Sequence, residues 1–224
     1  LSMQQPPAPK ALLYIGTGCA HCQTVLDGLA RLVKEGKLAR LEIVNLSADP
    51  ESAPSTVRTV PFIRIGDFQF DGLIPPEDLA DWVGFAVAGE GRTAYYAHLL
   101  EHRRLEEVAA AVREHPSGLA DLLSLLTNEG TSMATRIGVS AVIEELSGSK
   151  ALRAVIPELE QLTLSEIHQT RADACYFLGL TGDRRVTPIV ARLLDDEQPD
   201  VREIAMETLA LLGEPGEPRR GEDS

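Results

Sequence analysis

The sequence predicts two parts of different fold class: an α/β domain over residues 10–90 and an all-α solenoid over residues 91–214. Three observations lead to this prediction. Before residue 90, short β-branched apolar runs alternate with a stretch of helical apolar spacing. After residue 92, no alternating strand pattern remains and the apolar positions keep helical spacing. The second part also aligns with itself at a shift of 31 positions, as stacked repeats do.

The first part is predicted to contain a strand, a helix, a second strand, a hairpin and a closing helix. The apolar run ALLYI (11–15) is a buried-strand pattern, and a helix is expected over 20–35, with Gly36 as its stop. The runs LEIVNL, PFIRI and FQFDG predict three more strands, the last two joined at Gly66 and Asp67. The pair Pro75–Pro76 then starts a helix.

The second part is predicted to be a row of helix pairs, with breaks at Gly130, Gly148 and Pro199 among others. The stretch RADACYFLGLTGD (171–183) aligns with REIAMETLALLGE (202–214), so that Arg171 corresponds to Arg202. A looser copy starts at Thr135. One such pair cannot bury its apolar face alone, whereas stacked pairs share a continuous core. This part resembles HEAT-like repeats, a resemblance that implies a fold and not an activity.

Composition and charge limit the possible functions. The apolar fraction of 44% is that of a globular protein, and the net charge of −13 repels phosphate, so neither nucleic acid nor an anionic membrane is an expected partner. No apolar run is long enough to cross a bilayer. Residues 1–9 are expected to be flexible and 215–224 disordered. The first residues show no signal-peptide pattern, so the expected location is the cytoplasm, with a leader already removed as the alternative. The excess of arginine over lysine hints at a bacterial genome.

The motif GTGCAHC places Cys19 and Cys22 between the first strand and the first helix. A cysteine at a helix N-terminus is a better nucleophile, because the helix dipole and free N–H groups stabilise its thiolate. His21 could add positive charge near the sulfur. Three interpretations stay open: a redox dithiol, a metal site using Cys19, His21 and Cys22, and an inactive pair. No second C-x-x-C or H-x-x-H is present to complete a zinc site.

A second feature follows in TVP (59–61), where Pro61 opens a strand after Val60. Such a proline is either cis or a trans edge-strand residue, and its spacing from the cysteines favours cis. Together with the C-x-x-C, it makes residues 10–90 resemble the thioredoxin superfamily. The resemblance implies that Cys19 is the attacking thiol and Cys22 the resolving thiol. It also implies that Val60 and Pro61 bind an extended substrate, with no cofactor.

Two departures from thioredoxins proper bear on the chemistry. The residues are Gly-Cys-Ala-His-Cys rather than Trp-Cys-Gly-Pro-Cys, and apolar Leu13 replaces a buried acid on the first strand. A histidine before the second cysteine resembles the oxidising DsbA branch, which leaves the direction of electron flow open. His21 is therefore expected to tune the cysteine pKa.

The sequence thus predicts a thiol–disulfide oxidoreductase that acts on a protein partner, with the repeats selecting that partner. The alternative is a non-catalytic adaptor that uses both parts as scaffold. Among the remaining candidates, Cys175 is expected to be a packed small hydrophobe. His98 and His102, four residues apart, are expected on a solvated face rather than at a metal. The repeated arginines Arg136, Arg171 and Arg202 are expected to pair with acidic residues of neighbouring repeats.

Overall fold

The computed structural model describes residues 7–213 and divides into two compact units between Gly91 and Arg92. Of the terminal segments 1–9 and 215–224, the structure describes only residues 7–9. The predictions for 1–6 and for 215–224 therefore concern residues outside the described range. Within 7–213, no helix combines the length and the apolar character that crossing a lipid bilayer requires.

The first unit is a four-stranded mixed sheet with two helices, which confirms the predicted α/β arrangement. The strands lie in the order β2-β1-β3-β4, where β1 and β2 are parallel and β3 is antiparallel to both β1 and β4. A 3₁₀ turn, Pro50–Ser52, lies between β2 and β3. The elements are β1 Lys10–Ile15, α1 Cys22–Lys34, β2 Arg40–Asn45, β3 Phe62–Ile65, β4 Phe68–Asp71 and α2 Pro76–Ala88.

The strand register determines which loops meet. Tyr14, near the end of β1, lies opposite Val44 near the end of β2 and opposite Phe62 at the start of β3. Parallel strands end at the same edge of a sheet, and an antiparallel neighbour begins there. The loop after β1, the loop after β2 and the segment before β3 therefore meet at one edge of the sheet.

Apolar side chains on the sheet pack against the two helices. Phe70 is fully buried and its ring centroid lies 4.9 Å from that of Trp82 in α2. Helix α1 buries Val25, Leu29 and Leu32 along one stripe, the spacing of an amphipathic helix. A Cβ at Gly28 would lie 3.0 Å from Leu79 Cδ1, so the absence of a side chain there lets α1 approach α2 closely.

The second unit is all helical, as predicted, and its helices share one continuous apolar core. Helix α9 is the best buried: Ala174, Cys175, Phe177 and Leu178 are fully inaccessible. The helices are α3 Arg92–Glu101, α4 Leu105–Glu114, α5 Gly118–Ser124, α6 Met133–Glu145, α7 Lys150–Ala154, α8 Ile156–Leu162, α9 His168–Leu180, α10 Thr187–Arg192 and α11 Pro199–Gly213, with 3₁₀ turns at Leu125–Thr127, Arg184–Val186 and Leu193–Asp195.

The repeated arginines close the turns that precede their own helices. Arg171 donates to the carbonyl oxygens of Ser165 and Glu166 at 2.9 and 3.2 Å. Arg202 donates to the carbonyl oxygens six and five residues before it, Asp196 and Glu197, at 2.6 and 3.0 Å. The two arginines thus make the same pair of backbone contacts at equivalent positions.

Two of these arginines also form the predicted ion pairs with neighbouring repeats. Arg171 binds Asp196 through two hydrogen bonds of 2.8 Å, and Arg136 donates to Asp173 at 3.0 Å. The Arg171 and Asp196 side chains are only 10% and 8% exposed. The hydrogen bond from Arg171 lowers the pKa of Asp196, and its charge acts in the same direction. This prediction is confirmed for Arg136 and Arg171.

We expect Arg171→Ala to lower the free energy of unfolding by about 3 kcal/mol, because Asp196 would stay buried without its cation. The destabilisation should shrink as the pH falls below 3.8, the ordinary pKa of Asp196. A carboxyl group whose pKa is lowered by folding stabilises the protein fully above its ordinary pKa, and this stabilisation is lost as the group becomes protonated in the folded state. Urea titration followed by far-UV circular dichroism measures both effects. Arg185→Ala is the matched control, because that side chain is 86% exposed. Equal losses in the two variants would contradict the expectation.

Candidate redox site

The loop between β1 and α1 holds both cysteines, but the helix begins later than the sequence predicts. Helix α1 starts at Cys22, and Cys19 lies in the preceding turn, where its N–H donates to the Gly16 carbonyl at 3.3 Å. Gly18 has a φ of 78°, a left-handed conformation that extends the loop. The helix predicted over 20–35 therefore begins two residues later than expected.

The sulfur atoms of Cys19 and Cys22 lie 2.09 Å apart, at disulfide distance, and their Cα atoms are separated by 5.4 Å. The two cysteines differ in access to solvent. Cys19 is partly exposed, whereas Cys22 is 5% exposed and belongs to the core of the first unit. Of the two, Cys19 is the one that another molecule can reach.

One backbone group of the helix points at the accessible sulfur. The N–H of Cys22 donates to Sγ of Cys19 at 3.2 Å. The first N–H groups of a helix have no partner within the helix and carry the positive end of its dipole. A thiolate accepts such a hydrogen bond more strongly than a neutral thiol does, so the same contact would favour the ionised form of Cys19 once the disulfide is reduced.

Three polar side chains hold the loop to the end of β2. The Thr17 N–H donates to the Ser47 hydroxyl at 2.9 Å, and the Ser47 N–H donates to the Asn45 side-chain oxygen at 3.0 Å. The Asn45 side-chain amide lies 3.5 Å from the Thr17 hydroxyl. These residues were missed by the sequence analysis, and the only available signal was the polar break LSAD after an apolar strand.

The segment before β3 contacts the same loop. A Cβ on Gly16 would lie 3.1 Å from Cγ2 of Val60 and 3.6 Å from the Ser47 hydroxyl. The Val60–Pro61 peptide bond is cis, as the sequence predicts, and Pro61 is buried. The Pro61 carbonyl accepts the Gly72 N–H at 2.8 Å. The structure therefore brings Val60 against the loop that carries the cysteines.

His21 lies directly before α1 with its side chain exposed. Within residues 7–213 its ring makes no hydrogen bond and no ion pair. Its predicted effect on the cysteine pKa stays a prediction.

Cys175 lies apart from this site, in the second unit. It is fully buried, its Sγ lies 3.9 Å from the Thr208 hydroxyl, and burial raises its pKa to about 11. The prediction that it is a packed small hydrophobe is confirmed.

The His98–His102 pair is less solvated than expected. The ring centroids lie 4.1 Å apart, and His102 Nδ1 lies 2.8 Å from the His98 carbonyl oxygen. Burial lowers the pKa of His98 to about 4, and the nearby charges of His102 and Arg104 act in the same direction. His98 is therefore neutral at pH 7. Across the described part of the chain, no three His, Cys, Asp or Glu side chains are grouped so that they could hold a metal ion.

Comparison of the sequence with known protein families and with curated proteins found no match in either.

We predict that the three cysteines of the reduced protein react with iodoacetamide in the order Cys19, Cys22, Cys175. Cys19 is accessible and receives a hydrogen bond from the helix, whereas Cys22 is 5% exposed. With its pKa raised to about 11, Cys175 is ionised in about one molecule in ten thousand at pH 7. Mass spectrometry after timed quenching gives the three rates, and denaturant is the control that should equalise them. Labelling of Cys22 as fast as Cys19 would contradict the assignment.

We predict that His98 makes the second unit less stable in acid. An unfolded imidazole titrates near 6.5 and the folded one near 4, so the unfolded state binds the extra proton and stability is lost as the pH falls through this window. Between pH 7 and pH 5 the loss attributable to His98 is up to about 2 kcal/mol. Urea titrations at the two pH values should show a smaller drop for His98→Gln than for the parent protein. His115→Gln, at an exposed position, should leave the drop unchanged.

Proposed function

We propose that the protein is a thiol–disulfide oxidoreductase that acts on a protein partner through Cys19 and Cys22. The observation that carries the proposal is the Cys22 N–H donating to the accessible Cys19 sulfur at 3.2 Å, while Cys22 itself is buried. An exposed, stabilised sulfur followed by a shielded one is the arrangement that a two-step exchange requires. The strand order β2-β1-β3-β4, with the loop on β1, supports a thioredoxin-like fold for the first unit.

In the reducing direction, the Cys19 thiolate attacks one sulfur of the partner's disulfide. A bond forms between Cys19 and that sulfur, the partner's S–S bond breaks, and the released thiolate takes up a proton. Cys22, after losing its own proton, then attacks the Cys19 sulfur and expels the partner's remaining sulfur as a second thiolate. The partner gains two electrons, and the Cys19–Cys22 pair is left as a disulfide. The oxidising direction runs the same steps in reverse.

The neighbouring residues have proposed roles in this exchange. Val60 lies against Gly16 of the cysteine loop. Its proposed role is to pair, through its backbone, with an extended partner segment next to Pro61. His21 is exposed beside the two cysteines, and a protonated imidazole there would stabilise the Cys19 thiolate.

We further propose that the second unit, whose repeated helices resemble HEAT repeats, selects the partner. A few contacts around Val60 give little selectivity, and a second weak site on the same chain raises the effective concentration of a chosen partner. The alternative function is a non-catalytic adaptor. It is favoured by exposed apolar side chains on the second unit, Met133 at 68% and Ile137 at 63%, which indicate a binding surface.

We expect the protein to accelerate the reduction of insulin disulfides by dithiothreitol at least about tenfold, which measures turnover at the pair. Cys19→Ser should abolish the acceleration. Cys22→Ser should abolish turnover and accumulate a mixed disulfide on Cys19, visible by mass spectrometry without reductant. The matched control is Cys175→Ser, which removes a fully buried thiol of the second unit and should leave turnover unchanged.

The adaptor function gives the opposite result in the same assay. The parent protein would then add nothing to the rate of dithiothreitol alone, and Cys22→Ser would trap no insulin chain. A reduction potential near −270 mV for the pair would indicate a reductase in the cell, and one near −120 mV an oxidant.

A further inference from the structure

The outer surface of the second unit carries a groove along helices α6 and α9. Two adjoining concavities, of about 420 and 300 Å³, share Met133, Arg136 and Gln169 as lining residues. They form a continuous depression, hereafter the α6–α9 groove. Within the groove, Arg136 of α6 forms an ion pair with Asp173 of α9 at 3.0 Å, which joins the two helices. Those two side chains are 11% and 28% exposed.

Helix α6 has a second apolar stripe that is not buried in the core of the second unit. Val139, Val142 and Ile143 are fully buried, whereas Met133 and Ile137 are 68% and 63% exposed. Residues four apart lie one above the other on a helix, so Met133 and Ile137 form one apolar strip along the groove. An exposed apolar strip with a polar rim is typical of an interaction surface.

The rim of the groove is acidic and its basic groups are already engaged. Glu129 and Glu166 line the larger concavity, and neither side chain makes a hydrogen bond or an ion pair within residues 7–213. Arg136 is bound to Asp173, and His168 lies 3.1 Å from Asp200. The charge that the groove offers to a ligand is therefore negative.

We propose that the α6–α9 groove binds a basic and apolar peptide segment of a partner protein. A large apolar side chain of that segment packs on Met133 and Ile137, and Lys or Arg side chains beside it pair with Glu129 and Glu166. A second copy of this chain is a poor occupant, because each copy carries a net charge of −13. The inference rests on the proposed function in one respect: the segment belongs to the protein whose disulfide Cys19 exchanges.

The test uses the full chain with Cys19→Ser and Cys22→Ser, so that no covalent capture can occur. A phage library of random dodecapeptides is selected on this protein, and the most enriched peptide is synthesised with a fluorescein label. We expect the enriched peptides to combine Lys or Arg with Leu, Ile, Met or Phe. Acidic enriched peptides, or no enrichment over a blank surface, would overturn the proposal.

Fluorescence anisotropy of the labelled peptide then locates its site. We expect Ile137→Ser to weaken binding about tenfold, as loss of a central apolar contact does. The pair Glu129→Gln and Glu166→Gln should weaken it several-fold and reduce its sensitivity to salt. Matched controls are Met206→Ser, which removes an apolar side chain 58% exposed on α11, and Glu203→Gln with Glu207→Gln on the same helix. Equal effects of groove and control variants would overturn the proposed site.

The two proposals fail in different measurements. Peptide binding that depends on Ile137 in the serine variant supports the groove whether or not the cysteines exchange. Insulin reduction by the parent protein supports the exchange whether or not the groove binds. Since the substituted groove side chains are exposed, an unchanged melting temperature is the control for folding.

Discussion

The pairing of β1 with its two neighbours is the constraint on which the site depends. Tyr14 lies opposite Val44 on one side and Phe62 on the other, so three chain segments far apart in sequence reach the same edge of the sheet. Gly16, Ser47 and Val60 meet there. A slip of one residue in either pairing would turn the alternating side chains to the opposite faces. It would move Leu13 and Ile63 out of their fully buried positions and shift the cysteine loop away from Val60. The strand pairing that buries the core therefore also assembles the site.

The late start of helix α1 changes how the two cysteines relate. With Cys22 as the first helical residue, the residue that carries the shielded sulfur also supplies the N–H that reaches the exposed one. The same turn of the chain therefore determines both the positions of the two sulfur atoms and the hydrogen bond that Cys19 Sγ accepts. Outside the motif, Asn45 and Ser47 hold its Thr17 in place, through hydrogen bonds of 2.9 to 3.5 Å. The spacing of the cysteines brings the sulfurs together, and the β2 end holds the loop that presents them.

The elements with periodic apolar residues were predictable, and the contacts between loops were not. The strands around Leu13, Ile63 and Phe70 follow from short apolar runs, and the break at Gly148 follows from a residue suited to its φ of 68°. The start of α1 was misplaced because Ala20 and His21 are compatible with a helix, and only the loop geometry excludes them. The Thr17–Asn45–Ser47 cluster could not be found from a single sequence, since Thr17 follows β1 whereas Asn45 and Ser47 lie at the end of β2 and just after it, and no sequence period relates the two places. The α6–α9 groove could not be predicted, because the exposure of Met133 and Ile137 depends on which helices pack beside α6.

The backbone contacts of Arg171 and Arg202 have a consequence for how this chain could lengthen. Each arginine fastens the link that precedes its own helix, through carbonyl oxygens five and six residues upstream. A duplicated segment of 31 residues would bring along both a helix and the fastening of its own link. The link between the old and the new repeat would then need no new stabilising contacts, except an acidic residue in the neighbouring repeat at the position equivalent to Asp196. Duplication of a whole repeat would therefore keep these stabilising contacts intact. The arrangement favours lengthening by whole repeats over insertion of single residues.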